Sequence, residues 1–173
     1  MSRRFGWVLS ALALFVSSSA LAGESPVQLA LFDPVQIVKH DQRIGILRID
    51  LLYGKNAGMT GLDVGLIGHT TGNQAGLAYC VVNITQGSFT GWQDSFISIA
   101  DQGFLGLQSG AFNQSKDGHG VQIGLVNVTD RMSGLQFGVV NYTRVMTRGV
   151  QIGIGNIILE GGIPFLPIVN ARF

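Results

Sequence analysis

The chain has 173 residues with 11 Lys and Arg against 10 Asp and Glu, 25 glycines, one cysteine, 46% apolar residues and 12% charged residues. A formal net charge of +1 removes the case for nucleic-acid binding or recruitment to an anionic membrane surface, and Cys80 alone excludes an internal disulfide. The charged share is about half the roughly 25% of an ordinary soluble domain. Beyond residue 22 no apolar run reaches the roughly 20 residues of a membrane helix, which leaves strands as the only means of crossing a bilayer.

In chain order, Arg3 and Arg4 precede an apolar stretch from Trp7 to Val16, three serines and Ala20-Leu21-Ala22. This pattern predicts a cleaved secretory signal over residues 1–22, and the absence of a cysteine after the cleavage site argues against a lipid anchor. Without Arg3 and Arg4 the mature chain carries 9 basic and 10 acidic residues. Residues 23–43 form an N-terminal lead-in or first strand, because Asp33-Pro34 interrupts the apolar run from Val27 to Val38. Residues 44–173 form a single β-repeat domain, opened by a strand from Ile44 to Tyr53.

From Gly61 to Asn156 nearly the same eight-residue phrase, Gly-x-Gln-x-Gly-x-x-Asn, recurs seven times at intervals of 14 or 15 residues, starting at Gly61, Gly76, Gly91, Gly106, Gly120, Gly134 and Gly149. The copies at Gly61 (Asp63 for Gln) and Gly91 (Ser95 and Ser98 for the second Gly and the Asn) depart most. A weaker copy ends at Asn170. A unit this short cannot bury an apolar face without its neighbours. Within each phrase the residues alternate: Leu135, Phe137 and Val139 share one parity, and Gly134, Gln136 and Gly138 share the other. Period two specifies a strand with two unlike faces. Between phrases, Gln86-Gly87, Asp101-Gln102-Gly103, Lys116-Asp117-Gly118, Asp130-Arg131, Arg144 to Arg148 and Glu160-Gly161-Gly162 read as turns.

The expected fold is therefore all-β: an antiparallel meander built from repeats and closed into a small β-barrel of about 8 to 10 strands. Ten tilted residues rise about 25 Å, the height of the apolar band on an outer-membrane barrel. In that reading the Leu/Val/Ile face meets lipid and the Gly/Gln face packs the interior. Phe89, Phe104, Met132, Ile84, Ile99 and Tyr142 then plug the ends of the lumen. The phrase reads nearly alike in both directions, which suits strands that alternate up and down. The alternative is a parallel β-solenoid, in which identical Asn residues stack as a ladder.

Two resemblances bear on location. The repeat, together with Leu51-Leu52-Tyr53-Gly54-Lys55-Asn56, resembles a poorly characterised family of bacterial surface-repeat proteins to which no activity is assigned. The last strand, ending in Phe173 with Ala171, Val169, Pro167 and Phe165 in its parity, resembles the C-terminal signature read by the barrel-assembly machinery of the outer membrane. These resemblances imply an outer-membrane or cell-surface location, with the periplasm as the alternative. They also imply outer-membrane lipid, the assembly machinery and a surface or periplasmic protein as partners.

Chemistry is thin. His40, His69 and His119 lack the spacing of metal ligands. Triples such as His69 with Ser88 or Asp94, and His119 with Ser115 and Asp117, are of a kind any turn-rich chain offers. Cys80 reads as a small apolar filler, and the Gln column as amides bonding across strands. Catalytic, cofactor-binding and metal residues are assigned to none, and no cofactor is expected. The expected role is structural or interactive and non-enzymatic. A soluble exported solenoid that binds a partner is the alternative, and a lipid-modifying barrel enzyme is the least favoured.

Overall fold

The computed structural model describes residues 24–173, so the expected signal lies outside the described residues. The chain is all-β, but it is a solenoid and not a barrel. Strands β1 (Glu24–Phe32), β3 (Arg43–Asn56), β4 (Gly58–Thr70), β5 (Gln74–Thr85) and the start of β6 (Ser88–Glu160) pair parallel in sequence order. An up-and-down barrel needs antiparallel neighbours, so this pairing overturns the closed antiparallel meander. Short antiparallel elements sit at both ends. β2 (Val35–Gln36) pairs with β1, and β7 (Phe165–Arg172) pairs with the last coil of β6. Ending the stack in this way hinders further parallel copies from adding to its edges.

Most of the expected turns are extended backbone. Only Gln86-Gly87 and Gly161-Gly162 are bends, whereas Asp101 to Gly103, Lys116 to Gly118, Asp130-Arg131 and Arg144 to Arg148 all lie within β6. What read as one strand plus one turn is a full coil. Each Gly-x-Gln-x-Gly-x-x-Asn phrase therefore lies on the same phrase of the coil before it: Gly61 pairs with Gly76 and Gly76 with Gly91.

The phrase-opening glycines explain how closely the coils stack. Gly61, Gly76, Gly91, Gly106, Gly120, Gly134 and Gly149 all have positive φ, from 101° to 150°. A Cβ on Gly134 would lie 1.9 Å from the carbonyl oxygen of Gly120. Both the backbone conformation and the approach demand glycine.

The interior is mostly amide. Gln93, Gln108, Gln122, Gln136 and Gln151 are fully buried, and each Gln side chain from Gln108 onward donates to the Gln oxygen one coil earlier at 2.7–2.8 Å. A second ladder runs the other way: Asn113 donates to Asn127, Asn127 to Asn141 and Asn141 to Asn156, each at 2.8 Å. The same amide nitrogens reach the backbone oxygens of Ile123, Phe137 and Ile152. The apolar core is a narrow seam of Ala78, Phe89, Ala100, Phe104, Met132, Met146 and Ile158, with a second cluster of Val38, Ile44 and Met59 near the N-terminal end. Phe89, Phe104 and Met132, expected to plug a lumen, belong to this seam. Gly118 leaves room there, since a Cβ on it would meet Phe104 and Met132 at 2.7 Å.

Two consequences are measurable. Gly134→Ala forces a strained φ and a backbone clash, and is expected to lower stability by about 2–4 kcal/mol. Gly155→Ala, where the nearest atom to the new Cβ is 3.7 Å away, is expected to change it by under about 1 kcal/mol; equal losses in urea denaturation would refute the role of the glycine column. Gln122→Leu removes the donor to Gln108 and the acceptor of Gln136 and Thr129. Leaving those buried groups unpaired is expected to cost about 2–5 kcal/mol in the same assay.

Candidate functional site

Pleating sends the phrase residues between the inward Gly, Gln and Gly outward. Ile123, Leu125, Phe137, Val139 and Ile154 are 42% to 74% exposed. The face expected to meet lipid is thus external, but it belongs to a stack of parallel coils and not to a barrel wall. In-register stacking aligns these side chains in columns. One column holds Val64, Tyr79, Asp94, Ser109, Ile123, Phe137 and Ile152, and its neighbour holds Leu66, Val81, Phe96, Ala111, Leu125, Val139 and Ile154. Among these fourteen positions Asp94 is the single charge. Charged groups such as Asp117, Arg131, Arg144 and Glu160 fall elsewhere on the coil, where Arg131 bonds Asp117 at 2.7 Å.

Between the two columns runs a shallow groove floored by glycine. Its larger part, about 780 Å³, lies over Gly110, Gly124, Gly138 and Gly153 with Ile123, Phe137, Leu125 and Ile154 among its walls. A second part of about 430 Å³ continues it past Gly65, Cys80 and Ser95 and shares Gly110 and Ala111 with the first. The floor is glycine because a Cβ on Gly138 would fall 2.5 Å from the Gly124 carbonyl oxygen and 2.7 Å from the Asn127 amide nitrogen. Two coils depart from this: Cys80 and Ser95 occupy the floor position in the coils opened by Gly76 and Gly91, and Gly68 and Ser98 stand in the Asn slot of the coils opened by Gly61 and Gly91.

Asp94 is not an isolated charge. It accepts the Ser109 hydroxyl at 2.6 Å, and Ser109 in turn accepts the Trp92 indole N–H at 2.9 Å. This short polar chain crosses the otherwise apolar surface.

The N-terminal coils replace the Gln ladder with charge. The register aligns Arg48, Asp63, Ala78 and Gln93 in one column. Arg48, fully buried, forks onto Asp63 at 2.8 and 2.6 Å and donates to the His69 carbonyl oxygen at 3.1 Å. Ala78 is too short to continue the ladder. Gln74, from the adjacent inward column, fills the gap by donating to Asp63 at 2.8 Å, which accounts for a glutamine that sits out of register in the sequence. Asp50 lies 3.1 Å from the Arg48 Nε. Burial raises its carboxyl from 3.8 to about 8, with Arg48 opposing the shift and Asp63 adding to it. Sequence reading missed this centre because Arg48 and Asp50 share a parity with Ile44 and Ile46, and only the register brings Asp63 onto Arg48.

The remaining chemical candidates are dispersed. His69 Nδ1 meets the Tyr53 hydroxyl at 2.7 Å, and burial, with the Lys55 and Arg48 charges, lowers its pKa. His40 lies beside Asp33 at 3.4 Å, and His119 is exposed. The Ser115 hydroxyl points inward to Thr129 at 3.3 Å while Asp117 pairs with Arg131, so the triple with His119 is not assembled. Burial and Asp63 push the Cys80 thiol up, which suits a filler and not a nucleophile. Among the described residues no group of three His, Cys, Asp or Glu side chains is placed to hold a metal ion. No family model, curated protein or solved structure matches the chain.

Asp50 gives this centre a pH signature. The folded chain retains a proton on Asp50 that the unfolded chain releases near pH 4, so its stabilising contribution is full below about pH 4 and is lost as pH rises toward about 8. Asp50→Asn removes that dependence. Its melting temperature is expected to match wild type at about pH 4 and to exceed it increasingly up to about pH 8; a constant difference across that range would refute the buried protonated carboxyl.

Proposed function

We propose that the exported chain is a non-enzymatic β-solenoid binding module, at the cell surface or in the periplasm, that works through its apolar sheet face. The observation that carries this reading is the pair of aligned columns from Val64 to Ile152 and from Leu66 to Ile154, with one charge in fourteen outward positions. A soluble monomer seldom leaves a contiguous apolar patch larger than a few hundred Å² open to water, and larger patches mark contact surfaces. The interior does not need these residues. Amides, threonines and the Phe/Met seam fill it, so the outward Leu, Val, Ile and Phe side chains serve something beyond the coil.

Export rests on the signal pattern at residues 1–22, and the surface location on the resemblance of the repeat to bacterial surface-repeat proteins. Extended coils in place of long loops favour recognition by a flat side-chain surface over recognition by loops. The non-enzymatic reading is supported by the inward Ser115, the paired Asp117 and the buried Cys80 thiol.

The test is the particle size of the processed chain in native extracts of cells that export it. Wild type is expected to elute well above monomer size. Ile123→Ser combined with Phe137→Ser, which alters only outward side chains, is expected to elute as a monomer with an unchanged β circular-dichroism spectrum. A wild-type chain that is monomeric in the extract, or an assembly that survives both substitutions, overturns the proposal.

A further inference from the structure

We infer that the partner of the apolar face is a second copy of the same chain, packed face to face about a two-fold axis that runs along the strands between the coils opened by Gly91 and Gly106. This inference rests on the reading of that face as a contact surface and names its occupant.

The area suits a dimer. Seven stacked phrases at about 4.8 Å per step span about 29 Å. The register continues the face at both ends, through Leu29 of β1 and Ile49 of β3 in the column of Val64, and through Val169 of β7 opposite Ile152. Ten rungs of about five outward-to-outward residues cover roughly 43 by 18 Å, on the order of 800 Å² per copy, which is the contribution of one partner to an interface of standard size. A small ligand fits less well, because its site normally encloses most of its surface, and this groove is an open trough along the stack.

The pattern of the columns selects the arrangement. A two-fold axis along the strands reverses the stack while keeping each column opposite itself, so the coil of Gly91 meets the partner's coil of Gly106. Asp94 then faces the partner's Ser109, and Phe96, 64% exposed, faces the partner's Ala111. Further out, Tyr79 meets the partner's Ile123 and Phe137 meets the partner's Val64. Each of these aromatic side chains lies against an aliphatic one, and the one carboxylate lies against a hydroxyl. A two-fold axis along the stack, between the two columns, would instead set Asp94 against the partner's Phe96, leaving the carboxylate without a polar partner in an apolar interface. Asp94 also disfavours lipid as the occupant: it stands near the middle of the strip, where an ionised group in hydrocarbon is costly, while its bonds to Ser109 and the indole chain beyond suit a protein contact.

Sedimentation velocity and light scattering on the purified, signal-processed chain test this. Wild type is expected at twice the monomer mass at high micromolar concentration. Phe96→Lys and Ala111→Glu, both outward, are each expected to halve the mass with an unchanged circular-dichroism spectrum. Mixing these two variants is expected to restore the doubled mass, because the reversed stack sets the new ammonium against the new carboxylate. Flotation with phosphatidylethanolamine/phosphatidylglycerol vesicles runs alongside. A monomeric wild type overturns the inference, as does a dimer that neither substitution disturbs. A mixture that stays monomeric overturns the reversed arrangement. A monomer that floats with vesicles assigns the face to lipid. A purified monomer that is still large in native extracts discards the second copy while leaving the proposed function standing; a monomer in both settings removes both.

Discussion

The structure depends on one constraint: the inward polar groups of each coil find their partners in the next coil. A buried Gln side chain offers two donors and an acceptor oxygen with two lone pairs, and an isolated coil satisfies few of them. Stacked in register, Gln122 donates to Gln108 and accepts from Gln136 and Thr129. The Asn ladder does the same in the opposite direction, so the two rows of aligned amide dipoles oppose each other. Such bonds are modest when made and expensive when one partner is missing, which makes the stack intolerant of slippage. The ladders fix the register, and the register requires the positive-φ glycines, because the coils come too close for a Cβ at those positions.

The same constraint explains the inversion of the usual arrangement of side chains. Most of the interior is amide and hydroxyl, while many of the large aliphatic residues are outside. A coil of 14 or 15 residues encloses too little space for more than one apolar seam beside the amide ladders, and Phe89, Phe104, Met132 and Met146 take it. One departure from the phrase is compensated locally. Gln74 supplies the amide that Ala78 lacks, and reaches Asp63 because the Arg48 fork has drawn a carboxylate into the Gln column. A substitution that looks like drift in the sequence, Ala78 for Gln, is thus matched by hydrogen bonding from a neighbouring column.

Parity made much of this legible. The inward Gly and Gln and the outward Leu135, Phe137 and Val139 follow from period-two alternation, and the structure keeps that division; Asn141 shares the outward parity yet is buried, so the alternation breaks after Val139. Direction was not legible from parity, because an alternating strand has the same two faces in a meander and in a coil. The residues that decide between them are Asp130-Arg131 and Arg144 to Arg148, whose charge and polarity resemble turns but whose backbone stays extended. The near-symmetry of the phrase pointed toward strands that alternate in direction, yet it arises because Gly and Gln flank a pair of outward residues on any two-faced strand. The stronger signal was the equal spacing of identical amides: antiparallel neighbours would bring most of them opposite something else, whereas parallel stacking sets each on its own kind. The centre at Arg48, Asp50 and Asp63 was hidden for a related reason, since it depends on register and not on any local motif.

Regular stacking also determines what the outer surface can recognise. Repetition at a fixed rise produces columns, and columns of Ile, Val, Leu and Phe make a ridged surface with little directional chemistry. Specificity on such a surface has to come from its interruptions. The Gly91 and Gly106 coils supply them: Trp92, Asp94 and Ser109 form the hydrogen-bonded chain across the strip, and Ala111 opens a gap beside Phe96. A partner that matches these two coils is held in one register along the stack, while the flanking apolar columns contribute area that is nearly the same at every step. In the proposed binding module the irregular coils therefore carry the recognition, and the regular ones carry the contact that makes recognition stable.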